Sequence, residues 1–548
     1  MSKPSSFQTL PTNVIRNIVE FSVNTHCPDA RINSDYGINI LHSCHRWRAA
    51  LATNILSNVS IKTFTNNPPV CVFGKWPTSI GTPQFPTVHL VKTVKFYYRE
   101  WESIKQSSAV DLFNQTIFPN SAFTSARVFE IYINFIGKFD TPESMETLRQ
   151  ILFSLKQKTP NVKKMVILAG HIMAPLQGTN TSEFLKSIVI EFNVGVKNLD
   201  YRMSFPRIIK YFSPTQFTGI TNLAFDCFRE PRSLLVMVHP NAPTLQSLRM
   251  LDIWTDCFQA MLYNDNKPVV YPCLKSMYLR FTAECFDQAD HSVVHFPMLN
   301  GLTLLCNNLV YSKALFNNTG SLEHLKLTLE PRILAEVNPQ KVFSQKQFGN
   351  LQSLIFNIDL RGQTVNVTSF INPILGLPQA LRRLEFSGRV SEDNFLSTLM
   401  AHPDSVYAKI QELTIGSVEL DISETISILQ KMPYLTKFVL SVKNVQPELN
   451  GTTDANVAVN YIKRSFNPIN RYIAKLSITN SPYTDVPKYD AIFVALLIVG
   501  CPRLGYASVR RLSNNRFTLA LLDLADTEAF AAYKQQIDLV IRNHTIVI

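Results

Sequence analysis

The sequence has no apolar run long enough to cross a membrane. Among its 548 residues the longest candidate, 491–500, is about half of the roughly 18 residues that a spanning segment needs. The first residues, MSKPSSFQTLP, also lack the apolar core of a secretory signal. We therefore expect no membrane association and no secretion.

Motifs that carry catalysis or phosphate binding are missing as well. The sequence contains no G-x-x-x-x-G-K-[ST], no G-x-G-x-x-G, no H-E-x-x-H and no G-x-S-x-G. Its 11 histidines do not cluster with Ser, Cys or Asp at a motif spacing. We predict that the protein is not an enzyme and that it uses no cofactor.

Cysteines are few and scattered. There are 9, an odd number, and no C-x-x-C accompanies them, a pattern that suits free thiols in a reducing compartment, the cytoplasm, the nucleus or both. A cluster of histidines and cysteines near the N-terminus fits no compact zinc frame, so we predict no metal site there. Its members are His26, Cys27, His42, Cys44 and His45.

The formal net charge is +12, but charged residues make up only 17% of the chain and form no long basic run. Because the positive charges are spread along the chain, we interpret them as a solvated surface and not as a nucleic-acid site. An acidic partner is the alternative. Two arginine pairs, Arg382-Arg383 and Arg510-Arg511, occupy variable positions of, or just after, the strand frames described next. They could contact an acidic ligand or simply be solvated.

One short apolar frame recurs along most of the chain. Apolar residues stand at its positions 1, 4 and 6, as in YPCLKSMYL, FPMLNGLTL and TGSLEHLKL, and in 8 of 15 copies Pro or Gly lies two residues upstream, where composition predicts between one and two. The copies begin at Val91, Val128, Val162, Val196, Ile220, Leu245, Leu274, Leu299, Leu322, Leu351, Leu381, Ile410, Leu435, Ile473 and Leu504.

The copies recur about every 30 residues, at or above the long end of leucine-rich repeats. Between the frames the apolar spacing becomes helical, for example after Pro142 and near Ser423. The chain therefore resembles a leucine-rich-repeat protein. The resemblance implies an α/β solenoid with a curved parallel sheet and outer helices, joined by crossovers. The fuller leucine-rich frame, L-x-x-L-x-L-x-x-N-x-L, has an asparagine position that only one copy occupies, with Asn307. We therefore expect no continuous asparagine ladder.

Two short amphipathic segments precede the repeats, at 7–23 and 38–55, and are too short to form a core alone. Leu-Pro opens the first, and Cys-His-Arg-Trp lies in the second. This arrangement resembles an F-box, a helical motif that docks on an adaptor of the SKP family in a cullin ubiquitin ligase. The resemblance implies adaptor contacts by Leu10, Pro11, Val14, Ile15, Ile18, Val19, Leu41, Cys44 and Trp47.

These observations predict three regions: an F-box-like helical domain at 7–58, a proline-rich linker at 59–88, and a solenoid at 89–548 that ends in a helical cap. Irregular arrays of this kind accompany F-boxes in fungi and other eukaryotes. The resemblance implies the substrate-recognition subunit of an SCF-type ligase, with an unknown protein substrate held by the repeats. The alternative is a non-catalytic repeat scaffold without a ligase link, in which 7–55 only caps the array.

Overall fold

The computed structural model consists of two compact units, Met1–Tyr271 and Pro272–Ile548. Each unit is built around a largely parallel sheet. The residues that the structure describes are 58–63, 70–73, 76–77, 91–98, 109–117, 122–133, 142–169, 196–203, 218–226, 231, 234–281, 295–306, 322–329, 349–358, 381–387, 397, 399–401, 407–443, 449, 453–466, 468–480, 487–509 and 514–545.

In the first unit the strands lie in the order β2-β1-β4-β5-β6-β7-β8-β9, with β3 beside β2. Neighbours from β1 onward are parallel, whereas β2 and β3 pair antiparallel. A separate two-stranded hairpin joins β10 to β11. The strands are β1 (Asn58–Lys62), β2 (Val70–Phe73), β3 (Trp76–Pro77), β4 (Thr93–Tyr98), β5 (Val128–Ile133), β6 (Lys164–Ala169), β7 (Asn198–Met203), β8 (Asn222–Asp226), β9 (Ser247–Ile253), β10 (Tyr263–Asn264) and β11 (Lys267–Pro268).

In the second unit nine strands lie side by side in sequence order, and every neighbouring pair is parallel. A parallel sheet in sequence order requires one crossover per repeat. The strands are β12 (Ser276–Phe281), β13 (Gly301–Cys306), β14 (His324–Leu329), β15 (Ser353–Ile358), β16 (Arg383–Ser387), β17 (Glu412–Leu420), β18 (Lys437–Val442), β19 (Lys475–Asn480) and β20 (Tyr506–Val509).

The apolar frame sets the strand register. In the copies whose side chains the structure describes, positions 4 and 6 point into the core, apart from the displaced copy at Val128; Leu302 and Leu304, for example, are 2% and 0% exposed. Frame leucines of neighbouring strands lie opposite one another, so each repeat extends one continuous apolar layer. One strand per repeat, parallel and in register, with helices in the crossovers, is the leucine-rich-repeat type of α/β architecture, as the sequence predicts.

One copy of the frame is displaced by two residues from its predicted place. Val128 pairs with Thr93, a position-3 residue, and is half-buried. The residue at position 1 of that repeat is Ala126, which is fully buried, and Phe129 and Ile131 are its inward-facing residues. The prediction that Val128 begins this copy is therefore wrong. The error arose because Val128, Ile131 and Ile133 also satisfy the apolar spacing.

Helices occupy several crossovers and end the chain. Their inward faces pack on the sheet; the Phe113 ring of α1, for example, meets the Phe96 ring of β4 edge-on at 6.0 Å. Single-turn π and 3-10 helices lie at Leu234–Val238, His239–Asn241 and Ala531–Tyr533. The described α-helices are α1 (Ala109–Ile117), α2 (Pro142–Lys158), α3 (Thr255–Leu262), α4 (Ile422–Lys431), α5 (Ala455–Ser465), α6 (Pro487–Gly500), α7 (Asn514–Ala525) and α8 (Lys534–Thr545).

Local sequence determines where α4 begins. The Asp421 carboxylate accepts from the Glu424 backbone N–H at 2.7 Å, and the Glu424 carboxylate accepts from the Asp421 N–H at 2.8 Å. This reciprocal capping box satisfies two backbone donors that the first turn of a helix leaves unpaired. The helical pattern predicted near Ser423 and the proline start at Pro142 both correspond to helices of the structure.

Two buried asparagines join neighbouring repeats in place of a ladder. The Asn470 side chain donates to Leu429 O at 3.0 Å and Met432 O at 2.9 Å, and accepts from the N–H groups of Tyr472 and Ile473 at 2.8 and 2.9 Å. Asn241 similarly accepts from Ile220 N–H at 2.9 Å and donates to Met237 O at 2.8 Å. Both amides therefore satisfy backbone groups that burial would otherwise leave unpaired.

The stretch assigned to a linker begins as part of the sheet. Residues 58–62 form β1, which pairs in parallel with β4, and β2 and β3 follow within 70–77. The alternation of buried Val59 and Ile61 with half-exposed neighbours is the strand signal in this stretch. The F-box-like segment 7–57 lies outside the described residues.

The sequence predicts a helical cap in this part of the chain, and helices α7 and α8 follow β20. Phe530, Ile537 and Val540 are fully buried, and Gln536 on α8 donates to Cys501 O at 2.8 Å beside β20. Helix α8 extends to Thr545, the last residue that the structure describes. Across the described residues, no helix combines the length and apolar character needed to cross a membrane.

Candidate functional site

The sheet of each unit has one face whose described side chains are mostly half-exposed. Positions 3, 5 and 7 of the frame alternate with the buried positions, so their side chains point away from the core. Most of those in the described strands are half-exposed. We call this side the open face. Because the apolar frame residues are committed to the core, any recognition by the sheet uses the open face.

The open face of the first unit carries a stacked pair of tyrosines. Tyr97 on β4 and Tyr132 on β5 lie directly opposite one another in the register. Their ring centroids are 4.3 Å apart and their planes differ by 12°. Both rings are half-buried. The parallel strands place equivalent positions side by side, so two tyrosines at position 7 of successive repeats are held face to face.

A salt bridge fixes the second tyrosine. Tyr132 donates its hydroxyl hydrogen to Glu130 Oε2 at 2.7 Å, and Lys95 Nζ lies 2.9 Å from the same oxygen. Burial, and then the hydrogen bond to Glu130 and its negative charge, raise the pKa of Tyr132 above the usual tyrosine value. The hydroxyl therefore keeps its proton and remains a donor at physiological pH.

A lysine completes the group. Lys62 on β1 places its ammonium 5.8 Å from the centroid of the Tyr97 ring, within the range of a cation–π contact. We call Lys62, Lys95, Tyr97, Glu130 and Tyr132 the tyrosine cluster. The cluster offers aromatic surface, two ammonium groups and one carboxylate on a rigid sheet. The Tyr132 hydroxyl keeps its proton, and the Glu130 carboxylate is paired with Lys95 and Tyr132. The arrangement therefore suits recognition of another molecule and not proton transfer.

The open face of the second unit is crossed by a row of charges. Arg383 Nη2 lies 2.8 Å from Glu385 Oε2, and Arg383 Nε lies 3.8 Å from Glu412 Oε2. Lys437 Nζ is 3.7 Å from the same Glu412 oxygen. Arg383 therefore contacts acidic groups of its own sheet, whereas Arg382 is exposed. Arg510 and Arg511 lie outside the described residues.

None of the residues predicted to contact an adaptor can be placed in this site. Leu10, Pro11, Val14, Ile15, Ile18, Val19, Leu41, Cys44 and Trp47 all lie outside the described residues. The structure brings together instead the tyrosine cluster, which the sequence interpretation did not single out. A signal was available: with the frame set at Ala126, Tyr132 takes position 7, the same as Tyr97 in the preceding repeat.

Metal-binding groups of at least three His, Cys, Asp or Glu side chains do not occur in the part of the chain that the structure describes. The histidines and cysteines considered as zinc ligands, from His26 to His45, lie outside that part.

No protein-family model matches the sequence, and no curated protein is significantly similar to it. Among solved structures, the crystal structure of a TLR13–ssRNA13 complex aligns with 78% of this chain and 68% of that chain, at 12% identity and a TM-score of 0.32. That likeness is too distant to bear on the function.

Proposed function

We propose that the chain is a non-catalytic receptor that binds a protein through the open face of its repeats. The tyrosine cluster carries the proposal. Tyrosine and charged side chains that are held in place by their neighbours are typical of the energetic centres of protein interfaces. Parallel pairing fixes these side chains before any partner arrives, so binding loses little side-chain entropy.

The finer proposal is a substrate-recognition subunit of an SCF-type cullin ubiquitin ligase. Its support is the resemblance of 7–55 to an F-box, with Leu10-Pro11 at the start and Trp47 near the end. In this role the F-box-like segment binds an SKP-family adaptor and the repeats hold the substrate. The receptor does no chemistry of its own, because its contribution is to place a substrate lysine near the transferring thioester.

The alternative is a repeat scaffold without a ligase link, in which 7–55 covers the first repeats. Both the ligase receptor and the scaffold bind a protein through the open face, but only the ligase receptor also binds an adaptor. They are therefore separated by variants that change one surface at a time.

The test is a quantitative affinity purification of the full chain from cells. Three versions are compared: the unchanged chain, Tyr97→Ala/Tyr132→Ala, and a control. The control, Lys92→Ala/Lys163→Ala, removes two exposed side chains from the turns before β4 and β6. We expect the tyrosine variant to lose a set of proteins that the control retains, while all three keep the adaptor. Equal recovery by the tyrosine variant and the control would overturn the proposal that this cluster binds the partner.

A further inference from the structure

A second surface lies along the edge of the sheet where strands β18 to β20 begin. Tyr434 stands directly before the frame residue Leu435, Tyr472 before Ile473 and Arg503 before Leu504. Parallel strands in sequence order bring these equivalent positions side by side. All three side chains are exposed; Tyr434 is 50% and Tyr472 39% accessible.

The three side chains form one stack. The ring centroids of Tyr434 and Tyr472 are 5.4 Å apart with planes 30° from parallel, and the Arg503 guanidinium carbon lies 5.4 Å from the Tyr472 centroid. Because β19 lies between β18 and β20, Tyr472 is the middle member. A single exposed tyrosine is common on protein surfaces and needs no explanation. Exposed aromatic side chains that form a contiguous patch, in contrast, are typical of an interaction surface.

The edge is basic. The turns that lead into β17–β20 contain no Asp or Glu over 407–411, 431–436, 468–474 and 501–505. They contain Lys409, Lys431, Arg471 and Arg503, of which Lys431 already donates to Met400 O at 2.6 Å. Lys409, Arg471 and Arg503 are exposed. We call Lys409, Tyr434, Arg471, Tyr472 and Arg503 the basic tyrosine edge.

Apolar surface continues beyond Arg503 onto the last helix. Leu539 of α8 is 48% exposed, and its Cδ2 lies beside Gly505, 3.4 Å from the position that a Cβ on that glycine would take. Two acidic residues lie close to Lys534: Asp526, whose carboxylate is 2.6 Å from Lys534 Nζ, and Asp538, which is half-exposed on α8 and also acts on Lys534 electrostatically. The edge thus joins aromatic, apolar and cationic groups without a carboxylate in the turns themselves.

We propose that the basic tyrosine edge binds an acidic segment of a protein, in which carboxylates alternate with apolar side chains. Charge complementarity selects the carboxylates, because three exposed cations face a partner and the turns supply no acidic group to oppose them. A single-stranded nucleic acid fits less well: the Tyr472 ring already has Tyr434 and Arg503 as neighbours, so a base would have to displace one of them to stack. None of the residues of the basic tyrosine edge belongs to the tyrosine cluster or to 7–55.

The test measures fluorescence anisotropy of the full chain with a fluorescein-labelled peptide, Glu-Phe-Glu-Pro-Glu-Leu-Glu, and with its counterpart in which Gln replaces every Glu. We expect the acidic peptide to bind at least about tenfold tighter, and Arg503→Glu and Lys409→Glu each to weaken it about tenfold, the effect of losing one charge-assisted contact. Tyr472→Ala should weaken binding similarly. Arg516→Glu, an equal charge change on the exposed side of α7, should leave the affinity unchanged.

Three results would overturn the proposal. The two peptides could bind equally, or Arg516→Glu could weaken binding as much as Arg503→Glu, which would show only a general charge effect. Tighter binding of labelled oligothymidylate than of the acidic peptide, lost in Tyr472→Ala, would assign the edge to nucleic acid instead. Circular dichroism of each variant verifies that the repeats remain folded. Tyr97→Ala/Tyr132→Ala should still bind the peptide, so failure here is distinct from failure of the proposed receptor function.

Discussion

Tyr97 and Tyr132 stack face to face across two neighbouring strands, with centroids 4.3 Å apart. The Glu130 carboxylate holds the Tyr132 hydroxyl, and Lys95 in turn holds Glu130. Contacts between neighbouring strands thereby hold both tyrosine side chains in place. Partner binding and local stability are expected to depend on the same two rings.

The stacking energy can be measured by a double-mutant cycle. We expect Tyr97→Ala and Tyr132→Ala to be coupled by about 1 kcal/mol, the usual size for an aromatic pair. Tyr132→Phe keeps the ring and removes the hydrogen bond to Glu130, so it should retain the coupling with Tyr97. Hydrogen exchange of the β4 and β5 amides reports the local opening free energy. Additive effects of the two alanine substitutions would contradict the stacked arrangement.

Asn470 is expected to be a main determinant of stability in the second unit. Asn470→Ala leaves two carbonyls and two N–H groups without their side-chain partner, and we predict a loss of about 3 kcal/mol. Denaturant unfolding measures this loss in the free energy of unfolding, and hydrogen exchange of the β19 amides shows whether it is local. Asn350→Ala, at an exposed turn residue, should change the free energy of unfolding by less than about 0.5 kcal/mol. Similar values for the two variants would show that the Asn470 amide contributes little.

Gly500 is required by a close approach of two segments. The Gly500 carbonyl accepts from Ile469 N–H at 2.8 Å, and a Cβ on Gly500 would come within 3.0 Å of the Ile469 side chain. We predict that Gly500→Ala destabilises the unit by about 1–3 kcal/mol through overpacking. Gly349→Ala is the matched control, because a Cβ there meets no atom within 4 Å.

Combining Gly500→Ala with Ile469→Ala should relieve most of this cost, so the double variant should lose less stability than the sum of the single losses. Strict additivity would show that the steric conflict is not the cause.

Cysteine reactivity should divide the thiols by burial. Cys273 is exposed, whereas Cys257 and Cys501 are buried. Burial raises the pKa of Cys501 to about 12, and only the thiolate reacts quickly. We expect iodoacetamide at pH 8 to label Cys273 in the folded chain and Cys501 only after unfolding, as peptide mass mapping would show. Rapid labelling of Cys501 under native conditions would contradict its buried position.

The same shift has a pH consequence. The folded-state pKa of Cys501 lies above the ordinary thiol value of 9.0, so its contribution to stability is complete below about pH 9. It is lost as the pH rises further, because the unfolded chain then releases a proton that the folded chain keeps. The free energy of unfolding should therefore fall above that pH.

Sequence periodicity predicted the strands because burial of positions 4 and 6 is a local property of each repeat. It failed where two overlapping frames satisfied the same spacing, as at Val128. It also missed β1, β2 and β3, since the prolines of 59–88 suggested a linker. The roles of Asn241 and Asn470 could not be foreseen, because the hydrogen-bond partners of an asparagine in a connecting segment are known only once the neighbouring repeat is in place.

The tyrosine cluster was harder to foresee than the fold. Tyr97 and Tyr132 are 35 residues apart, and they meet only if both frames are set correctly. With the frame at Val128, Tyr132 falls at position 5 and lies beside Lys95 instead of Tyr97. When the frame is displaced by two residues along a strand, each side chain stays on the same face of the sheet. Its neighbour on the adjacent strand, however, changes.

The most direct test of the receptor proposal is a pulldown of the purified chain with a purified SKP-family adaptor. We predict that the unchanged chain and Tyr97→Ala/Tyr132→Ala both retain the adaptor. Pro11→Ala/Ile15→Asp should lose it while the repeats remain folded by circular dichroism. No adaptor binding by the unchanged chain would contradict the ligase role and leave a protein-binding repeat scaffold.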